Sequence, residues 1–443
     1  MDEIQEIKQN AQAYRKQERY NDAVDLYREL WTEYRERCNE WEGWGYATCL
    51  RKLGKSEEAL EICRTVYQTK REFKAGKDLY AWCIYDTEIK KDNEQIKKDE
   101  EKFYKAVSAI QNLTTQDQYS PHAKTIFRVI DYLIQTKQIY PAKAILGWTD
   151  KLDQNTLSDE PYRFIGADGK HREVQSEKEK WFAIKTKSLE KLGRYKECSK
   201  ICKEALTTIS NFHYSNDVWF ERRIALSKAH LGDKQKAAEA LEKILQRKKE
   251  WFIQHEIAII YYDLGDNEKA LNYAIDAALN FGKNENKWEL FLLMAQILIT
   301  QGRINDAKEH LIFAAKLRVK QEWKIPEKLD KMLTEYKIDI SISNKRSELL
   351  KKLRLLWEAE KYSSLPSMDG TVKTILKNGK AGFISGENGK DYYFKTNSFK
   401  GNKNRLERGL KVSFFIEDSF DKKKKINTEA ATHVKERNSE QDG

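Results

Sequence analysis

Four glycines, Gly193, Gly232, Gly265 and Gly302, recur at spacings of 39, 33 and 37 residues. Alanine follows three of them five residues later, as Ala237, Ala270 and Ala307. The same pattern occurs earlier as Tyr46-Ala47, Leu53-Gly54-Lys55 and Ala59. A first copy lies in Asn10–Trp31, with Ala11 and Ala23 small and Tyr14, Tyr20 and Tyr27 aromatic. A glycine permits a tight turn between two amphipathic helices, and alanine lets the helices approach closely. Aromatic side chains then fill the wider gaps between neighbouring pairs. One such pair cannot bury its apolar face alone, so the spacing demands a stacked array. With 443 residues the chain exceeds one ordinary core, which an array or several domains resolves.

This period and its Gly-to-Ala spacing resemble the tetratricopeptide repeat, and the resemblance implies an α-solenoid that holds a protein partner. Residues 1–152 and 177–360 are expected to form two helical sub-arrays. Asp78–Lys91 with Ile96–Leu113, and His122–Lys137 with Ala142–Leu152, read as stretched pairs. Residues 153–176 interrupt the array, and Asp168-Gly169 between Tyr162, Phe164 and Val174 predicts a small hairpin or ordered loop. Ile325–Lys337 and Arg346–Ala359 add two helices. Leu349, Leu350, Leu353, Leu356 and Trp357 place one apolar face on the second, which suits a cap over the end of the array. Residues 361–368 read as a linker.

The first helix of each repeat is expected to line the inner face. Aligning the turns at Gly193, Gly232 and Gly265 puts Lys180, Lys187, Trp219, Arg222, His255 and Tyr262 there. Cations beside aromatic rings suit an acidic peptide or a nucleic-acid strand.

Residues 369–435 change character, and 436–443 follow as a tail. Strand candidates are Thr371–Ile375, Gly382–Ile384, Tyr392–Phe394, Val412–Ile416 and Ala430–Val434. Turns fall at Lys377-Asn378-Gly379, Glu387-Asn388-Gly389 and Gly409. Five short strands in so few residues fit a small five-stranded all-β OB barrel. The segment holds 15 lysines and arginines against 8 acids, a large share of the chain's net +11. A local basic surplus points to a polyanion.

The stretch resembles a cold-shock domain. Gly370-Thr371-Val372-Lys373 matches the opening, Gly382-Phe383-Ile384 the first ribonucleoprotein motif, and Asp391-Tyr392-Tyr393-Phe394 the second. Gly409 with Val412-Ser413-Phe414 matches the fourth strand. The resemblance implies that Lys373, Phe383 and Tyr393 face nucleic acid. Four aromatic or histidine positions of the family are Thr374, Ala381, Lys395 and Thr396 here. Lys380, Lys395, Lys400, Lys403 and Arg405, with the run Lys422–Lys425, shift the balance from stacking toward charge.

Nothing in the sequence supports catalysis, a metal site or a cofactor. Gly54-Lys55-Ser56 lacks the first glycine of a phosphate-binding loop, since Cys49 stands there, and it follows a helix rather than a strand. The histidines are scattered, and Cys38, Cys49, Cys63, Cys83, Cys198 and Cys202 form no C-x-x-C. They read as reduced core thiols. No apolar run nears the roughly 20 residues that span a bilayer, and Met1–Gln5 is acidic rather than signal-like. The expected protein is a cytoplasmic, non-catalytic adaptor without a membrane partner. Its barrel would bind RNA or single-stranded DNA weakly and its solenoid a protein. A pure scaffold whose barrel no longer binds nucleic acid is the alternative.

Overall fold

The computed structural model describes residues 3–341, 345–363, 365–421 and 426–437. It divides into two compact units, residues 1–240 and 241–443. Both are built from helix pairs, and the second ends in a closed barrel.

The recurrent turn has one hydrogen-bond signature. In unit 1 the amide of Lys55 donates to Leu50 O at 2.9 Å, that of Arg194 to Leu189 O at 3.0 Å, and that of Asp233 to Lys228 O at 3.0 Å. In unit 2 the amide of Asp266 donates to Tyr261 O at 3.0 Å and that of Arg303 to Leu298 O at 2.8 Å. This six-to-one bond closes a helix through one left-handed residue. The five glycines before these donors have φ between 69° and 104°. The first copy uses Glu18 instead, at φ 59°, with the amide of Arg19 bonded to Tyr14 O at 2.9 Å. Five residues beyond each turn, Ala23, Ala59, Ala237, Ala270 and Ala307 are buried. Cys198 takes this place after Gly193 and is buried likewise, as a small apolar residue would be.

Unit 1 opens with the helix pairs Glu3–Lys16 with Tyr20–Glu33 and Glu40–Lys52 with Ser56–Thr69. Helix Lys74–Ile84 runs into a π turn at Tyr85–Ile89, so the stretch read as one long helix is locally widened. Its partner is split, into Asn93–Lys98 and Glu100–Leu113, because Asp99 caps the second piece through Lys102 N. His122–Thr136 with Ala142–Thr149 and Glu177–Lys191 with Tyr195–Thr208 follow. Residues 153–176 contain a hairpin, β1 (Tyr162–Ile165) and β2 (His171–Val174), paired antiparallel from Tyr162↔Val174 to Ile165↔His171. His213 anchors it, with Nε2 3.0 Å from Glu173 and Nδ1 2.8 Å from Glu179.

In unit 2, Trp251–Asp263 with Asn267–Leu279 and Trp288–Thr300 with Ile304–Lys320 precede helix Glu327–Glu335. Helix Arg346–Ser363 then caps the last pair. Leu349, Leu353 and Trp357 are its buried face, and Trp357 stacks on Phe291 with centroids 5.5 Å apart. This helix reaches three residues into the segment read as a linker. Its end is held because Tyr362 packs on Phe415, centroids 5.1 Å apart, and on His433 at 4.5 Å.

The barrel comprises β3 (Ser367–Ile375), β4 (Ala381–Gly386), β5 (Asp391–Lys395), β6 (Lys411–Asp421) and β7 (Ile426–Glu436). It closes in the order β3-β4-β5-β7-β6, with β5 and β7 parallel and the other pairs antiparallel. Val372, Ile384, Tyr392, Phe394, Val412, Phe414 and Val434 fill it. Gly382 is required by close approach, since a side chain there would collide with Thr374 O and the Phe394 ring. β6 and β7 run beyond the strands read from sequence, pairing as far as Asp421↔Ile426. Toward their outer ends Asp418 stands opposite Glu429 and Ser419 opposite Thr428, polar pairs joined by the backbone ladder. Among the described residues no helix is long and apolar enough to cross a membrane.

Candidate nucleic-acid interface

Side chains alternate across a strand, so filling the barrel with Ile384, Tyr392 and Phe394 turns Phe383, Tyr393 and Lys395 outward. Phe383 and Tyr393 are direct cross-strand partners. Their rings meet edge to face, 5.8 Å apart at 71°. Phe383 is half-buried and Tyr393 is 37% exposed. Lys373 occupies a bulge in β3, between Val372 and Thr374, and forms an ion pair with Asp391 on the same face.

Beside this pair lies an open cleft of about 730 Å³. Lys380 enters from the β3–β4 turn, Lys395 from the end of β5, and Lys403 from the 3-10 turn Lys403–Arg405. Ile375, Leu406 and the Tyr393 ring give it an apolar wall, and no carboxylate lines it among the described residues. Lys403 Nζ donates to Asn397 Oδ1 at 3.0 Å. The Thr396 hydroxyl donates to Gly379 O at 3.0 Å, tying the end of β5 to the β3–β4 turn.

The eight barrel residues singled out from sequence therefore separate. Phe383, Tyr393, Lys380, Lys395 and Lys403 gather at the platform and cleft. Three cations already have acids: Lys373 pairs with Asp391, Lys400 with Glu358 at 2.5 Å, and Arg405 with Glu436 at 2.6 Å. Lys422–Lys425 lie outside the described residues. Thr396 appeared in the sequence only as a departure from the cold-shock pattern, and Asn397 and Leu406 did not stand out. Only their convergence from separate loops makes them wall residues; an Asn after a strand would have been the one available signal.

The barrel meets helix Arg346–Ser363 through other strands. Phe415 of β6 and His433 of β7 pack on Tyr362. His433 is buried, and burial pushes its pKa down to about 4 although Glu358 opposes the shift. The β4–β5 face with Phe383 and Tyr393 takes no part in these contacts.

On the helical repeats of unit 1, Lys180 Nζ lies 2.8 Å from Asp131 and 5.0 Å from the Phe127 centroid. Lys187 is exposed, with Nζ 4.5 Å from the Tyr140 ring. Desolvation, then Arg223 and Lys191, holds its pKa below the usual lysine value. Arg222 shares Glu190 with Arg223, at 3.4 and 3.2 Å. Trp219 is half-buried and donates to Tyr214 O at 3.1 Å. In unit 2, Tyr262 is half-buried, but His255 departs from an inward-facing surface role. It is buried and stacks on Trp251, centroids 6.3 Å apart. Helix Trp251–Asp263 also buries Ile253, Ile257, Ala258 and Tyr261, so little of its circumference remains open. Burial pushes the His255 pKa down to about 4.

Residues 218–354 match a family described as "Domain of unknown function (DUF7017)". No curated protein matches the chain. Among solved structures, a tetratricopeptide repeat protein from Parabacteroides merdae is 12% identical, covering 80% of this chain and 98% of that one, with a TM-score of 0.27. The C-terminal part of a TPR repeat-containing protein from Cytophaga hutchinsonii is also 12% identical, covering 73% and 98%, with a TM-score of 0.31. PilF from Pseudomonas aeruginosa is 11% identical over 67% and 97%, with a TM-score of 0.29. At such scores the fold rests on the helix pairs and turns described above.

Proposed function

We propose that this protein is a non-catalytic cytoplasmic adaptor. Its cold-shock-like barrel, residues 369–435, binds RNA or single-stranded DNA, and its helical repeats, residues 1–360, hold a protein partner. The carrying observation is the outward Phe383–Tyr393 pair beside a cleft lined by three lysines and, among the described residues, no acid. Aromatic faces accept any base, and ammonium groups accept the backbone, so the expected binding is weakly sequence-selective. Lys180, Lys187, Trp219 and Arg222 are the candidate partner-binding residues of the repeats in unit 1.

The test is a titration of the full chain with labelled single-stranded RNA and DNA at several salt concentrations. Three lysine–phosphate contacts give a log–log salt slope of about −2. Changing Phe383 and Tyr393 together to alanine should weaken binding by about 1–3 kcal/mol per lost stack. A flat titration at low salt would overturn the proposal. Capture of a protein with no nucleic acid, unchanged in the double variant, would favour the pure scaffold.

A further inference from the structure

The cleft differs from the aromatic platform in what it offers a ligand. Phe383 and Tyr393 present ring surface, which suits a base. The cleft instead is lined by three lysines on one recess, Lys380 from the β3–β4 turn, Lys395 from the end of β5 and Lys403 from a 3-10 turn. Neither Lys380 nor Lys395 has a carboxylate partner among the described residues, and Lys403 is held by a neutral amide, Asn397. That bond uses the Asn397 oxygen and leaves its NH2 group as a further donor at the wall. The Thr396 hydroxyl is committed to Gly379 O, so the Thr396 and Asn397 wall is set before ligand arrives. A strand running across the barrel needs cations spread along its path. Here three of them line one recess beside the platform.

We propose that the cleft binds a terminal phosphomonoester of the single strand whose bases lie on Phe383 and Tyr393. This deepens the nucleic-acid reading above and rests on it. A terminal phosphate carries close to two negative charges at neutral pH, where an internal phosphodiester carries one. It also has three unsubstituted oxygens, which three lysines and an amide can address together. An internal linkage entering the same recess would have to bring both flanking sugars with it. Ile375, Leu406 and Tyr393 form the wall on which the terminal sugar and base rest.

The experiment compares one short single-stranded sequence with a 5′-phosphate, a 3′-phosphate or hydroxyls at both ends, bound to the full chain at fixed salt. One phosphorylated form should bind about tenfold tighter than the hydroxyl form, in keeping with the extra charge. Lys403→Ala and Lys395→Ala should narrow that gap to about twofold, and Lys403→Arg should retain most of it. A free nucleoside monophosphate should compete with the phosphorylated strand more strongly than inorganic phosphate does. Equal binding of all three strands, or a gap that survives both alanine variants, overturns the inference while leaving nucleic-acid binding intact. Absence of any strand binding overturns both readings. Competition by inorganic phosphate as strong as by the nucleotide marks an unspecific anion site and likewise overturns it.

Discussion

Acidification should unfold the second unit through three histidines that it holds neutral. His310 is fully buried and both its nitrogens are committed: Nδ1 bonds Asp306 O at 2.7 Å, and Nε2 accepts the Trp357 indole N–H at 2.8 Å. A proton added at Nε2 would break the bond that fastens the capping helix. Burial pushes its pKa down to about 4, and does the same for His255 and His433. In the unfolded chain each titrates near 6.5. A depressed folded pKa means that the unfolded state binds the proton first. Stability is therefore complete above about pH 6.5 and falls as pH drops toward 4. At pH 5 each histidine removes about 2 kcal/mol, and the three together about 6 kcal/mol, comparable with a whole domain's stability. His213 in unit 1 has the opposite sign. Burial opposes its charge, but Glu179 and Glu173 outweigh that and raise its pKa. Its contribution is present at acid pH and lost as pH rises through the folded pKa. Hydrogen exchange read by peptide mass at pH 7.5, 6 and 5 should show residues 251–363 and 426–436 opening while residues 171–216 stay protected. His310→Gln, which keeps an acceptor for Trp357, should lose about 2 kcal/mol less than the native chain between pH 7.5 and 5. Identical pH dependence in His310→Gln, His255→Gln and His433→Gln would refute the reasoning.

Two further substitutions probe the repeats. Lys287 is buried and its ammonium donates to Ala277 O, Ala278 O and Asn280 O at 2.9, 3.3 and 2.6 Å, closing helix Asn267–Leu279. Lys287→Met leaves these carbonyls without a donor and should cost about 2–4 kcal/mol, measured by denaturant titration. Glu18 sits at φ 59° in a turn whose later copies use glycine, so Glu18→Gly should relieve left-handed strain and raise stability by about 0.5–1 kcal/mol. No gain in the denaturation midpoint would show that Glu18 is held by something other than the turn.

Much of this architecture is legible in the chain because it depends on local chemistry. A left-handed turn selects glycine and a close helix contact selects alanine, so Gly54, Gly193, Gly232, Gly265 and Gly302 announce the helix pairs wherever they stand. Alternation of Tyr392 and Phe394 with Tyr393 and Lys395 likewise announces which face of a strand is wet. The π turn at Tyr85–Ile89 and the outer ends of β6 and β7 leave no such mark, since a helix period and a backbone ladder both tolerate them.

The sequence by itself determined the helix pairs and the five strands, for each follows from residues near one another in the chain, while the facing of Phe383 and Tyr393 is what the cold-shock resemblance implies. Tertiary structure alone decided which cations remain available. Asp391 reaches Lys373 from a non-neighbouring strand, and Glu358 reaches Lys400 from a helix 42 residues away. Among the described residues no acid pairs with Lys380, Lys395 or Lys403. The charge at a site depends on distances between segments far apart in sequence, and only the folded chain sets those distances.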